Sequence, residues 1–470
     1  MSSATKSRPV LKDEATKPAI VRAWRDVKWK IQPNTYNMRT LLMTAMRKAV
    51  DESEDSVGGW EASHREFRND NSFVIVNEHD RIEAQGWLTD LFDEETYEKL
   101  FANEHFGNFV IIRATGIKDF EEMPIYARIG MHLLFYGPVQ IRFLKWNFVR
   151  NLLKSQSIRQ GTIYDQEGPD VVKRIADFIK TYEIDMSDVL VKDPKGYKTF
   201  NEFFSRKLKP GARKPAAPND SSIIVSAADC RLNVFPNFTV ARQFWVKGKK
   251  FTLPELLGSE VLARRFGNSP SLAIFRLAPQ DYHRFHSPVT ATIESITTLP
   301  GDYYTVNPQA VNQPLDVFTA NRRDVCILNA SLSNPTSAPN APFQTLPVAF
   351  VAIGALLVGS VGWSFKVGEQ VKKGDDLGWF QYGGSTVVCI FPEQANVTWD
   401  EDLTKASTGE WQGKEVPEIM AKIPPNAIIG TASATDTFGI EVLVRTGEKI
   451  GVCAPVFDAQ STSTPKRGQA

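Results

Sequence analysis

The chain has 470 residues, 42% of them apolar, with 55 lysines and arginines against 54 aspartates and glutamates. That length gives room for one large domain or about two to three ordinary ones with a real core, and the near-neutral balance gives no sign of a nucleic-acid partner. Four cysteines (Cys230, Cys326, Cys389 and Cys453), widely spaced and without a C-x-x-C pair, argue against a disulfide frame or a zinc site and read as small buried residues in a reducing compartment.

The N-terminus, MSSATKSRPVLKDEATKPAIVRAW, lacks the apolar core of a secretory signal. No uninterrupted apolar run approaches the roughly 18 residues of a transmembrane helix. The expected protein is soluble and intracellular, in the cytoplasm or peripheral on an endomembrane, where the sequons at Asn237, Asn329 and Asn396 carry no meaning. Residues 1–35 are polar with scattered proline and lysine and are predicted to be loosely ordered.

From 36 to 205 the pattern is mainly helical: RIEAQGWLTDLFDEETYEKLF and PDVVKRIADFIKTYEI place apolar residues three and four apart. Acidic DESEDS (51–56) offers oxygen ligands at Asp51, Ser53 and Asp55, but Ser56 stands where a calcium loop needs glycine and Ala62 where it needs glutamate. A solvated loop is expected there. PVQIRFLKWNFVRNLLK (138–154) has four cations, no acids, and a broad apolar arc that includes Phe143, Trp146 and Phe148. Arg142 and Lys145 interrupt that arc and can snorkel toward anionic headgroups, so the segment reads either as a membrane-surface helix or as a helix packed on the rest of the protein.

KLKPGARKPAAPND (207–220) is proline-rich and polar and reads as a linker or exposed loop. From 221 the texture changes to short β-branched runs separated by glycine: SIIVSAADCRLNVF, SLAIFRL, PVAFVAIGALLVGSV, STVVCIF and GIEVLVRTG. These predict a β-rich catalytic domain over 221–457. Within it ASLSNPTSAPNAPFQTLP (330–347) reads as a surface insertion, and 458–470 as a disordered tail.

Three constellations carry chemistry. In LAPQDYHRFHSP (277–288), His283 and His286 lie beside Asp281. Imidazole suits proton transfer near neutrality and a carboxylate can fix its tautomer; a structural hydrogen-bonded pair is the plainer reading, and H-x-x-H without a third ligand is weak for zinc. In VSAADCRLNVF (225–235), Asp229 sits among small apolar residues and needs a partner, which a histidine would supply while becoming a stronger base. In VGEQVKKGDDLGWFQYGGSTVV (367–388), two glycine-centred turns resemble the hairpins of lipoyl and biotin carrier domains, without the Met-Lys-Met arrangement that carriers modify. The second turn sets Gly384–Ser385 at the mouth of a core strand.

Together these pieces resemble the phosphatidylserine decarboxylase family of self-cleaving pyruvoyl enzymes. MPIYARIGMHLLFYG (123–137), YKTFNEFFSRKLKPGAR (197–213), the Asp229 strand, FWVKGKKFTLPELLG (244–258), FRLAPQDYHRFHSPV (275–289), GDYYTVNP (301–308) and the GGST segment carry the likeness, which spans roughly 123 to 455. The wording is similar to the eukaryotic type II branch, although the first 120 residues show neither a C2 domain nor EF-hands. Ala228 stands where proline is common, and Gly383 where bacterial LGST forms have leucine.

The resemblance implies an α+β fold: a helical N-terminal region, then a β-rich pyruvoyl-decarboxylase domain with a carrier-like, barrel-sandwich hairpin. It implies that Ser385 attacks the carbonyl of Gly384, yielding a β chain (1–384) and an α chain (385–470) capped by a pyruvoyl group, so that no metal or pyridoxal phosphate is expected. By the same resemblance His286 is the base, Asp229 orients it with Asp281 nearby, and His283 protonates the product or binds the substrate carboxylate. The pyruvoyl ketone would take the substrate amine as a Schiff base and act as electron sink. By the resemblance, the expected reaction converts phosphatidylserine to phosphatidylethanolamine and CO2, in a peripheral, homodimeric enzyme. Decarboxylation of a free amino acid such as tryptophan, or an unprocessed scaffold, are the rival expectations.

Overall fold

The computed structural model describes residues 106–122, 161–182, 184–246, 251–306, 316–333, 344–355, 360–382, 385–411 and 439–455, with isolated positions at 154, 158, 311, 414 and 428–429. The chain divides into two units, and all of these residues belong to the one formed by Phe106–Pro424 and Ile428–Ala470. The segments 1–35 and 51–56, the helix expected over 81–101, all but residue 154 of that expected over 138–154, the 123–137 motif, the Gly383–Gly384 pair and the 458–470 tail lie outside the described residues.

An 11-stranded sheet organises the unit. Its strands run, side by side, Gln370–Val371, Ala291–Leu299, Arg323–Leu332, Gln344–Ile353, Ser385–Phe391, Ser271–Leu277, Cys230–Phe235, Glu441–Val444, Phe106–Ile112 and Ile428–Ile429, with Ile117–Glu122 also paired to Phe106–Ile112. The fold is mixed α+β and rich in strand. STVVCIF is near-continuously apolar because its strand is central, hydrogen-bonded to Ser271–Leu277 on one side and Gln344–Ile353 on the other, and buried on both faces. One face adds Val387 and Cys389 to a core containing Phe275, Leu277, Phe350 and Ala352. Because side chains alternate, a slip of one residue would exchange the faces, so the register that sets Ser385 against Leu277 is strongly specified.

Among the described residues two three-stranded sheets complete the β structure: Val361–Trp363, Asp376–Phe380 and Arg284–His286 in one, and Val397–Trp399, Lys449–Cys453 and Ile223–Val225 in the other. The first holds one expected catalytic histidine at the end of a strand; the second holds the segment leading to Asp229.

The helix read in PDVVKRIADFIKTYEI forms over Asp170–Thr181 and buries Val171, Ile175 and Phe178. Within the stretch expected to be mainly helical, 106–122 is instead a β-hairpin: V-I-I favours a strand, and Gly116 at φ 68° allows the turn. The insertion expected over 330–347 is narrower, since one strand runs to Leu332 and the next starts at Gln344.

The short helix Phe200–Phe204 bears directly on the site. Thr199 accepts the Glu202 N–H (3.1 Å) and the Glu202 carboxylate accepts the Lys198 N–H (2.7 Å), closing its N-terminus reciprocally. Phe200 and Phe204 pack on Tyr382 at 5.5 and 5.1 Å, and Asn201 Oδ1 accepts the Tyr382 N–H at 3.0 Å. The motif NEFF thus anchors the chain three residues before Ser385.

Candidate active site

Ser385 is fully buried at the head of its strand, opposite Leu277. Beyond Leu277 the chain turns, and His283 returns to hydrogen-bond the Ala278 carbonyl, next to the residue that faces Ser385. The Asp281 N–H donates to the Ala278 carbonyl (2.9 Å), and the Asp281 carboxylate accepts the Ala278 N–H (2.7 Å) and pairs with Arg231. Asp281 therefore staples this turn.

His283 is completely buried, its ring 3.9 Å from that of Phe204. Its Nε2–H donates to the Ala278 carbonyl (2.9 Å), which leaves Nδ1 as an enclosed lone pair with no hydrogen-bond partner among the described residues. Burial pushes its pKa from 6.5 down to about 3; the Ala278 bond opposes that shift and the cations Arg206 and Arg231 add to it. The imidazole is neutral at physiological pH and presents an acceptor only.

His286 is held through its backbone N–H by the Ala227 carbonyl (2.7 Å), two residues before Asp229. Its Nδ1–H donates to the Gly374 carbonyl at 2.8 Å, so Nε2 carries the lone pair and accepts the Tyr282 hydroxyl at 3.1 Å. Burial lowers its pKa, opposed by the Gly374 bond and by the carboxylates of Asp376 and Asp229. Burial and Asp376 raise that of Tyr282, which stays a hydroxyl donor.

The histidine partner expected for Asp229 is taken by an arginine. Asp229 accepts Arg213 Nε (3.0 and 3.1 Å) and Nη2 (2.8 Å), together with the Thr446 N–H (2.8 Å). Burial alone would raise the Asp229 pKa; the Arg213 bonds and charge and the Thr446 N–H outweigh it and hold the carboxyl below its usual value. Asp229 thus acts on His286 through space, while Gly374 and Tyr282 set the ring's tautomer. A surface cleft of about 520 Å³ opens behind this pair, lined by Arg113, Arg213, Lys214, Arg445 and Lys449 among others. No group of three or more His, Cys, Asp and Glu among the described residues is placed to hold a metal ion.

Arg213, Gly374 and Tyr282 were missed as site residues by the sequence reading. Gly374 sits at φ 90°, and a Cβ there would come within 2.8 Å of Pro215 Cγ. Gly374→Ala is expected to lower stability by about 2 kcal/mol and to move the carbonyl that orients His286. Thermal melts and the half-time of self-cleavage would measure both effects.

Acid stability follows from the histidines. Their unfolded forms take up protons below the ordinary pKa of 6.5, which the buried rings resist. Stability is therefore expected to fall as pH drops below 6.5, for His283 by up to about 1.4 kcal/mol per pH unit down to about 3, with His286 adding in the same direction. Asp229, also held below its ordinary value, adds its loss in the same direction but only below the ordinary carboxyl value of 3.8. Melting curves from pH 7 to 4 would test this, with a shallower slope expected for His283→Gln.

A profile of the phosphatidylserine decarboxylase family matches residues 200–410, which contain Arg213, Asp229, Asp281, Tyr282, both histidines, Gly374 and Ser385. The chain is 40% identical over 331 residues to phosphatidylserine decarboxylase proenzyme 2 of Komagataella phaffii, covering 69% of this chain and 30% of that protein. It is 39% identical over 328 residues to proenzyme 2 of Saccharomyces cerevisiae, covering 69% and 27%. With the phosphatidylserine decarboxylase proenzyme of Fusobacterium nucleatum it shares 34% identity over 273 residues, 57% of this chain and 85% of the bacterial one. This chain belongs to the phosphatidylserine decarboxylase family. It spans about a third of the length of the two fungal relatives. Within this phosphatidylserine decarboxylase family member Ser385 faces Leu277, His283 donates to the carbonyl of the next residue, Ala278, and Asp229 pairs with Arg213.

Proposed function

We propose that this chain is a proenzyme that cleaves itself between Gly384 and Ser385 and then decarboxylates phosphatidylserine to phosphatidylethanolamine and CO2. The observation that carries the reading is the placement of Ser385: a hydroxyl with no exposed surface, at the first position of a central strand, beside a turn that presents an unpartnered imidazole nitrogen. The proenzyme names of the relatives point the same way.

In the cleavage step Ser385 Oγ bonds to the carbonyl carbon of Gly384 as its proton passes to a base, and the peptide nitrogen leaves to give an ester. Removal of the Ser385 α-proton expels the Gly384 carboxylate, and hydrolysis of the dehydroalanine releases ammonia and leaves the pyruvoyl group. His286 Nε2 is the base once the Tyr282 hydroxyl releases its lone pair: Gly374 holds the proton on Nδ1, and the charges of Asp229 and Asp376 favour the imidazolium that forms. Once made, the pyruvoyl group supplies an electron sink for the charge released with CO2.

His283 Nδ1 serves the second reaction. Its free lone pair takes a proton from the substrate ammonium group and returns it to carbon after CO2 departs. The dry surroundings of Ser385 strengthen the electrostatics of both steps. The reading extends, by family resemblance, to the carrier-like character of the 367–388 hairpin, to a homodimer and to a peripheral site on an endomembrane, with 138–154 as the surface helix. No helix among the described residues is long and apolar enough to cross a membrane.

Intact-mass analysis tests the reading directly. Fragments 1–384 and 385–470 are expected, the smaller blocked to N-terminal sequencing and reactive toward borohydride. His286→Gln should slow cleavage, whereas His283→Gln should cleave normally and lose about 100-fold or more in CO2 release. A single full-length species with no reactive carbonyl contradicts the proposal.

A further inference from the structure

Most buried arginines of this fold are spent. Arg231 pairs with Asp281, Arg276 with Glu441 and Arg213 with Asp229, and Arg323 donates to the carbonyls of Leu256, Thr319, Asn321 and Glu255. Arg206 differs. It follows the helix Phe200–Phe204, is 4% exposed, and lies over the Phe203 ring at 5.2 Å. Its Nη2 donates to the carbonyls of Gln280 (3.3 Å) and Asp281 (3.2 Å), while Nε and Nη1 are enclosed with no acceptor among the described residues. The carboxylates that influence it, Asp281 and Asp229, are committed to Arg231 and Arg213.

A guanidinium stays charged when buried, and donors left unmade in the interior are costly, so such a group is completed by an anion. The location says which anion to expect. Arg206 grips the turn whose Ala278 carbonyl holds His283 Nε2, and that turn leaves the strand at Leu277, the partner of Ser385. Two independent unpartnered groups, Arg206 Nε/Nη1 and His283 Nδ1, therefore flank one turn beside the cleavage site.

We propose that Arg206 is the receptor for the phosphodiester of the substrate. This rests on the decarboxylase reading, in which the substrate carries two oxyanions, a carboxylate and a phosphodiester. The carboxylate loses its charge as CO2 leaves, so a guanidinium bound to it would stabilise the ground state more than the transition state and slow the reaction. The phosphodiester keeps its charge throughout and gains binding and position from the same contact. Access comes with maturation: the chain is cut two residues beyond Tyr382, whose ring packs on Phe204 close to Arg206.

The test is calorimetric titration of the processed full chain with three probes: glycerophosphoethanolamine (phosphodiester, no carboxylate), serine (carboxylate, no phosphodiester) and ethanolamine (neither). The wild type is expected to bind glycerophosphoethanolamine about tenfold or more tightly than ethanolamine, with Arg206→Gln losing that margin and Arg206→Lys keeping part of it. If Arg206→Gln weakens serine alone, the guanidinium serves the carboxylate and the proposal fails. If it weakens neither, Arg206 is a clamp on the Gln280 and Asp281 carbonyls and the proposal also fails. Should Arg206→Gln not fold, the wild-type comparison decides, and equal binding of glycerophosphoethanolamine and ethanolamine overturns the assignment. Because titration reads binding, a chain that prefers glycerophosphoethanolamine yet releases no CO2 counts against decarboxylation. One that releases CO2 without that preference counts against Arg206 alone.

Discussion

Ser385→Ala is expected to remain a single chain of 52.6 kDa under denaturing conditions, where the wild type yields two. The effect is all or none because the attacking atom is removed: a methyl group cannot form the ester, and no other group can place an oxygen on Gly384 from within the same residue. Folding should be preserved. The Ser385 backbone supplies the pairing with Leu277 whatever its side chain, and alanine fits a fully enclosed site without overpacking. The check is intact mass together with a thermal melt. Two fragments from a well-folded alanine variant would place the cut elsewhere and remove the basis for a ketone at this position.

What the sequence disclosed follows from the range of each interaction. STVVCIF announces a buried strand because strand burial is written in a local run of side chains, and the core strand forms over Ser385–Phe391. The pairing of glycine and serine at its mouth, and two histidines within four residues, are equally local. The partner of Asp229 is not. A carboxylate in an apolar context requires some cation or donor, but which one depends on a contact across 16 residues of proline-rich chain that composition marks as a linker. Arg213 lies in that stretch. Gly374 was hidden for a different reason: the group that orients His286 is a backbone carbonyl, which every residue possesses, brought from 88 positions away by the hairpin. Phe106–Ile112 escaped because its parallel pairing with Glu441–Val444 joins distant parts of the chain, and no local pattern encodes such a partner.

The Arg213–Asp229 pair gives the second large effect, and its asymmetry is what tests the assignment. The Asp229 carboxylate depends on Arg213 for three of its short contacts and on the Thr446 N–H for the other, whereas Arg213 also reaches Asp188 at 2.9 Å. Both side chains are about 15% exposed, so solvent screens the pair only weakly. Arg213→Met strands a buried anion and is expected to cost about 3 kcal/mol in a denaturant titration. Asp229→Asn leaves the arginine its second carboxylate and should cost about 1 kcal/mol. In Arg213→Met with Asp229→Asn the stranded charge is gone, so much of the single-mutant loss returns, a coupling that a merely additive pair would not produce. Self-cleavage should follow a different order. Asp229→Asn removes the negative charge that favours protonated His286 and should slow cleavage despite its mild effect on stability. The double variant should then be better folded than Arg213→Met and still slow to cleave. Recovery of cleavage together with stability would mean that Asp229 serves only to pair with Arg213 and takes no part in tuning the base.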